Sequence, residues 1–189
     1  VSDLKLRAGW GQTGNSELLS WYNSFASYNI SQQSASYGFA EQFYQMYRPT
    51  QYNPNLTWET TETTNAGLDF GFFNNRITGS IDWFRKNTNN LLAYVQIPAG
   101  EFSNMNNKNV GTMKTDGWEF LINVNPVKTQ DFNWDFSFNV AHYNPKITYF
   151  KDVADGYIIE TGGIGGIGQH VQAHAIGQTP NTFLVYQQL

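Results

Sequence analysis

The sequence contains no cysteine among its 189 residues, which excludes disulfide frameworks, thiolate metal sites and cysteine nucleophiles while leaving the redox compartment open. Charge is scarce as well, at 14%, against about 25% in an ordinary soluble domain. The net charge of −4 comes with no cluster of Lys or Arg, so the electrostatic footprint needed for nucleic acid is missing. No stretch approaches about 18 consecutive apolar residues, which excludes a transmembrane helix, and the start Val1-Ser2-Asp3-Leu4-Lys5 lacks the apolar core of a signal peptide. A membrane role survives only for strands. In place of the missing Lys and Glu stand 21 Asn and 17 Gly, with 16% aromatic residues, a composition that favours turns and sheet over helix.

Five segments alternate apolar and polar residues with the period of two that marks a β-strand, at about residues 4–10, 61–73, 76–85, 111–125 and 132–142. In the first, Leu4, Leu6, Ala8 and Trp10 oppose Lys5, Arg7 and Gly9. The second and third are separated by Asn74-Asn75, a pair that tolerates the positive φ angles of a two-residue hairpin turn. That turn sets Phe72 opposite Ile77, Phe70 opposite Gly79, Leu68 opposite Ile81 and Ala66 opposite Trp83, with Asp69 opposite Ser80 and Gly67 opposite Asp82 on the other face. A slip of one residue would destroy this agreement. In the fourth and fifth segments Trp118, Phe120, Ile122 and Val124 face one way with Trp134, Phe136, Phe138 and Val140. The short connection Pro126 to Asp131 predicts a second hairpin with Ile122 opposite Trp134, Phe120 opposite Phe136 and Trp118 opposite Phe138.

Long polar stretches, at about residues 11–58, 88–110 and 143–189, take the alternate connections. Long loops on every second connection are uncommon in a compact soluble domain, whereas short turns at one rim and long loops at the other describe an outer-membrane barrel. Its apolar face would meet lipid, and rings near the strand ends would settle at the membrane interfaces. The expected fold is therefore all-β: one partial antiparallel transmembrane β-barrel domain over residues 1–189 with long extracellular loops. A soluble carbohydrate-binding β-sandwich would also alternate, but it leaves the one-sided loops and the low charge unexplained.

Several motifs follow one another in order: Leu4-Lys5-Leu6-Arg7-Ala8-Gly9-Trp10-Gly11-Gln12-Thr13-Gly14-Asn15, Asn53-Pro54-Asn55-Leu56-Thr57-Trp58-Glu59-Thr60-Thr61, and Gly67-Leu68-Asp69-Phe70-Gly71-Phe72-Phe73-Asn74-Asn75-Arg76-Ile77-Thr78-Gly79. Asp82-Trp83-Phe84-Arg85-Lys86, Asn109-Val110-Gly111, Gly117-Trp118-Glu119-Phe120 and Asp131-Phe132-Asn133-Trp134 continue the series, and Ile176-Gly177-Gln178-Thr179-Pro180 closes it. In this order and spacing the chain resembles the SusC/RagA family of TonB-dependent outer-membrane transporters of Bacteroidetes. The resemblance implies a late part of the barrel of a nutrient importer in the cell outer membrane, surrounded by lipid. It also implies a SusD-like surface lipoprotein over the mouth, coupling to the TonB complex through parts absent from this chain, an oligosaccharide or peptide substrate, and no cofactor. Five strands cannot close a cylinder, since bacterial outer-membrane barrels have at least about eight.

The first long loop is dense in rings suited to stacking on sugars or holding peptide side chains, and Trp21, Tyr22, Tyr28, Tyr37, Tyr44 and Tyr47 are the candidate substrate-binding residues. The same rings could instead pack the loop against its neighbours or the lipoprotein. His170 and His174 stand four apart, the spacing of two zinc ligands on a helix, but the flanking Gly162-Gly163-Ile164-Gly165-Gly166-Ile167-Gly168 argues for a solvated loop, and no third ligand is evident. Those glycines lack the Lys and Ser/Thr of a phosphate loop. Asp69, Asp82, Glu119 and Asp135 recur singly among Asn and Ser, the lining of a hydrated lumen rather than the paired acids of a glycosidase. No enzymatic activity, catalytic residue or metal site is expected.

Overall fold

The fold was obtained as a computed structural model, which describes residues 1–17, 25–30, 36–50, 52–96, 105–151, 158–164 and 169–185. The strands in chain order are β1 (Asp3–Asn15), β2 (Tyr28–Ile30), β3 (Tyr37–Phe39), β4 (Gln42–Tyr44), β5 (Tyr47–Pro49), β6 (Glu59–Phe72), β7 (Ile77–Gln96), β8 (Met105–Lys128), β9 (Asn133–Phe150), β10 (Ile158–Ile164), β11 (Gln169–Ala175) and β12 (Thr182–Phe183). A five-stranded antiparallel sheet in the order β1-β6-β7-β8-β9 forms the wall, with three small sheets beside it: β10-β11-β12, β2-β5 and β3-β4. The wall does not close on itself.

The β6–β7 register agrees pair by pair with that predicted from the Asn74-Asn75 turn, from Phe72 opposite Ile77 to Ala66 opposite Trp83. Asn74 and Asn75 have φ of 53° and 60°, the left-handed values that a primed turn demands and that Asn tolerates. The β8–β9 register differs from the prediction by four residues: Ile122 faces Phe138, Phe120 faces Val140 and Trp118 faces His142. The cause is Pro126, which lies inside β8 at a register shift between Val124 and Val127 instead of ending the strand. Without an N–H it cannot join the ladder, and a bulge accommodates it. The turn is residues 129–132, closed by Thr129 N–H donating to Phe132 O at 2.8 Å. Because the displacement is even, each side chain keeps its face.

The strands also run beyond the apolar alternation. β1 extends to Asn15, β7 to Gln96, β8 begins at Met105, and β9 ends at Phe150, so the expected loops 11–58 and 88–110 are shorter than read. Part of the expected loop 143–189 is the β10–β12 sheet. The ladder continues by backbone hydrogen bonding where apolar and polar residues cease to alternate, and there side-chain period carries no signal. All long connections still leave the wall at one rim, opposite the turns at 73–76 and 129–132.

Pairing divides the wall into two faces. One carries Leu4, Leu6, Ala8 and Trp10, then Leu68, Phe70 and Phe72, then Ile77, Ile81 and Trp83, then Trp118, Phe120, Ile122 and Val124, then Phe136, Phe138 and Val140. The other carries Arg7, Asp69, Asp82, Glu119, Asn123, Ser137 and Asn139. No second layer covers the apolar face: among the described residues no large side chain is fully buried. The accessible surface is 14447 Å², where a compact soluble chain of 21.5 kDa exposes about 9,200 Å². A sandwich core is therefore absent from the described residues, and the apolar side is an outer surface.

What core exists lies at the long-loop rim. Ile147, Phe150 and Ala173 are its buried apolar residues, and Ile147 and Phe150 border, with Leu91, Leu92, Val110, Met113, Ile159, His174 and Pro180, an open cavity of about 220 Å³. The Gly177-Gln178 segment pairs with the edge of β9 there: Ile147 N–H donates to Gln178 O at 3.0 Å and Gly177 N–H to Ile147 O at 2.8 Å. The two histidines consequently stand on a strand, β11, and not in the solvated loop expected of them.

Candidate functional site

The polar face is organised around Arg7. Its Nε and Nη2 donate to the two carboxylate oxygens of Asp69 at 2.8 Å each, and Nη2 also donates to Asp82 Oδ2 at 3.0 Å. Gly67 sits between Arg7 and Asp82 in the cross-strand row. A Cβ there would stand 2.9 Å from Arg7 Nη2 and closer still to Asp82, so the missing side chain is what lets the guanidinium cross β6. Lower on this face, at the short-turn rim, Asp135 accepts from Asn125 and Asn133 at 2.6 Å each. Asn125 and Asp135 border a polar cleft of about 620 Å³ with Asn75, Arg76, Thr78 and Lys128. The four expected lumen carboxylates thus share one face, with Asp69 and Asp82 on one guanidinium and Asp135 on two carboxamides.

At the other rim, the long excursion from β1 to β6 forms a nested pair of hairpins. β2 pairs with β5 at the base, setting Tyr28 opposite Pro49 and Ile30 opposite Tyr47, and β3 pairs with β4 at the tip, setting Tyr37 directly opposite Tyr44. Ser27 and Thr50 close the base through Thr50 N–H to Ser27 O at 2.8 Å. The candidates Tyr28, Tyr37, Tyr44 and Tyr47 are all exposed, two as a direct pair and two as diagonal neighbours on one side of the base. Trp21 and Tyr22 lie outside the described residues. Phe39 and Phe43, not singled out as ligand contacts, are also exposed at the tip, Phe43 at 82%. They are adjacent to the Ala40-Glu41 turn, whose positive φ angles of 50° and 64° occur without the Gly or Asn that would have announced it.

The excursion is anchored where two of the sequence motifs meet. Asn109 Oδ1 accepts from Thr57 N–H at 2.9 Å, while its Nδ2 donates to Thr57 O at 2.8 Å and to Asn90 O at 2.9 Å. Asn53 Nδ2 donates to Asn107 O at 3.2 Å. One carboxamide thereby replaces a missing strand neighbour for Thr57 and ties the returning arm of the loop to the extensions of β7 and β8.

The sequence and the fold are shared with known proteins. The family model for TonB dependent receptor-like β-barrels matches residues 2–179. The chain belongs to this family. The TonB-dependent receptor SusC of Bacteroides thetaiotaomicron is 42% identical over 193 residues, covering 100% of this chain and 19% of that protein. TonB-dependent receptor P39 of Formosa agariphila is 36% identical over 86% of this chain and 15% of its own length. The solved structure of the RagAB peptide transporter superposes with a TM-score of 0.76 at 28% identity, over 96% of this chain and 18% of that one. The chain thus spans less than a fifth of the length of these relatives. The SusC/RagA resemblance is established, and the soluble sandwich is not favoured.

Among the described residues no group of three or more His, Asp or Glu is placed to hold a metal. His170 instead approaches Glu160, Nδ1 to Oε2 3.4 Å. His174 Nδ1 accepts from Asn181 N–H at 3.3 Å, and partial burial against the rim cluster holds its pKa below the ordinary value. These two imidazoles serve the β10–β12 sheet.

Proposed function

We propose that this wall is part of the barrel of a TonB-dependent importer in the outer membrane, taking up an oligosaccharide or peptide. The observation that carries the reading is the uncovered apolar face backed by a charged and carboxamide-lined one, in a chain 42% identical to SusC. The apolar face meets lipid. From Phe72 to Glu62 are ten residue steps, which at ~3.4 Å each and a ~40° tilt rise about 26 Å, close to the ~25 Å apolar band of such barrels. Trp10, Trp83 and Trp118 stand at one end of that band and Phe132 and Trp134 at the other, the positions of interfacial girdles. Free strand edges are not tolerated in hydrocarbon, so β1 and β9 pair with strands supplied by the rest of the receptor.

The long-loop rim faces outward, where the hairpin aromatics meet substrate or a SusD-like surface lipoprotein closing over the mouth. Energy comes from the TonB complex through other parts of the receptor. Rings stacked on a ligand contribute about 1 kcal/mol each, by analogy with aromatic pairs. In the intact receptor, replacing Tyr37 and Tyr44 by Ala should leave insertion unchanged while weakening substrate capture about 10- to 30-fold. Heat-modifiable gel migration beside uptake of labelled oligosaccharide and peptide reads both. Uptake at the unmodified level would remove this pair from the capture surface. A purified receptor that stayed soluble and folded without detergent would overturn the barrel reading itself.

A further inference from the structure

On the apolar face, the two rows immediately beyond Trp83 and Trp118 change character abruptly. Pairing places Arg85 opposite Asp116, which is opposite Asn144, and in the next row Lys114 is directly opposite Lys146. All are on the face that carries the tryptophans. Asp116 serves two cations: Arg85 Nε lies 2.5 Å from Oδ1 and Lys114 Nζ 3.3 Å from Oδ2. The Arg85 guanidinium also lies 5.5 Å from the centre of the Trp83 ring, which fixes its height at the girdle. Lys146 has no ion pair among the described residues. Glu62 shares the row of Lys114, but Asn87 separates them and its carboxylate accepts the Trp10 indole N–H at 2.6 Å.

Two cations therefore share one carboxylate, and a third, Lys146, stands directly across from Lys114, an arrangement that repels unless an anion lies between the two lysines. The side chains of Arg85 and Lys114 are 44% and 38% exposed, within reach of such an anion. The surface flanks the bilayer at headgroup height, where a soluble acidic protein has no approach and lipid phosphate is abundant. We propose that Arg85, Lys114 and Lys146 bind the phosphate of an outer-leaflet lipid, with its acyl chains lying down the face past Trp83, Trp118 and Phe120. Asp116 positions Arg85 and Lys114 for it. This site is distinct from the import path, and it rests on the proposed orientation of the wall, with the apolar face in lipid and the long loops outside.

The test uses the intact receptor in detergent, with native mass spectrometry of bound diphosphoryl lipid A, enzymatically dephosphorylated lipid A as the comparison, and inorganic phosphate as competitor. Removing one surface cation should weaken retention about fivefold. Lys146→Gln, which breaks no ion pair, is therefore expected to lose about fivefold and Arg85→Gln with Lys146→Gln about 25-fold, while Lys5→Gln on the polar face changes nothing. Dephosphorylated lipid should bind at least fivefold more weakly, and inorganic phosphate should not displace the lipid. Equal retention of the two lipids, unchanged binding in Lys146→Gln, or an equal loss in Lys5→Gln would overturn the site. Displacement by inorganic phosphate would show a free-anion site instead and overturn the lipid assignment. Should the double variant fail to fold, Lys146→Gln and the dephosphorylated lipid decide alone. Substrate uptake by the same preparations is a separate readout, so failure of import and failure of lipid binding are distinguishable.

Discussion

Arg7 on β1 reaches Asp82 on β7 across an entire intervening strand, with 2.9 Å between Nη2 and Oδ1. The contact exists because β6 presents Gly67 beneath it. Gly67→Val should therefore lower the temperature at which the intact receptor loses its folded gel mobility, and by more than Arg7→Met does. Arg7→Met leaves two carboxylates on neighbouring strands without their shared cation, so its loss should shrink at high salt, where exposed charges are screened. Adding Asp82→Asn to Arg7→Met should restore part of it. A Gly67→Val receptor as heat-resistant as the parent would show that the crossing contributes nothing.

Orientation of the wall makes opposite demands on neighbouring residues. Phe120→Arg should cost about 2–4 kcal/mol of barrel stability, the penalty of a cation near the bilayer midplane. Asn139→Arg, on the polar face, should stay within about 0.5 kcal/mol, as surface substitutions do. Urea titrations of folded gel mobility in vesicles give the comparison; equal costs would mean that the faces are assigned the wrong way round.

The β6–β7 register was legible in the sequence to the residue, because Asn74-Asn75 defines its turn and the paired segments alternate up to Trp83. The β8–β9 register was not, because proline reads as a strand stop and Pro126 is instead absorbed by a bulge. Upper strand extensions such as Lys86 to Gln96 escape detection for another reason: where no lipid touches the wall, apolar and polar residues need not alternate. The Arg7 network is hidden by connectivity, since pairing β1 with β6 spans the long excursion and no short turn fixes its register. Tyr37 and Tyr44 were legible as ring-bearing candidates, but their direct pairing depends on a turn through Ala40 and Glu41 that no residue type advertises.

That turn can be improved. Ala40 and Glu41 both hold left-handed φ values, which cost a side-chain-bearing residue conformational energy that Asn-Gly avoids. Replacing them together by Asn and Gly should slow hydrogen exchange across Tyr37–Tyr44 in the intact receptor, with Glu41→Gly giving most of the gain. Faster exchange at Gly38 and Phe43 in the double variant would rule out this turn.

The rims should be distinguishable from outside the cell. Single cysteines are placed at Tyr37 and Asn75 of a receptor whose other segments have been freed of cysteine; the 189 residues of this chain contribute none. An impermeant maleimide applied to whole cells should label the Tyr37→Cys receptor and leave Asn75→Cys unlabelled until the outer membrane is opened. The reverse pattern would invert the wall and move the basic rows to the inner leaflet.

The rim sheet should weaken in acid. His174 is partly buried against the Ile147 and Phe150 cluster, which disfavours its charged form and holds its pKa below the ordinary value of about 6.5. On acidification the unfolded segment takes up its proton first, so stability contributed by neutral His174 is complete above about pH 6.5 and falls as pH drops through the depressed folded value. The contribution of His174 is isolated by removing it alone. Hydrogen exchange over residues 169–175 of the intact receptor, corrected for intrinsic rates, should accelerate between about pH 7.5 and about pH 5.5. In His174→Gln, which retains a polar side chain but cannot take up a proton in this range, that acceleration should disappear. The same acid response in the variant would place the sensitivity elsewhere in the sheet.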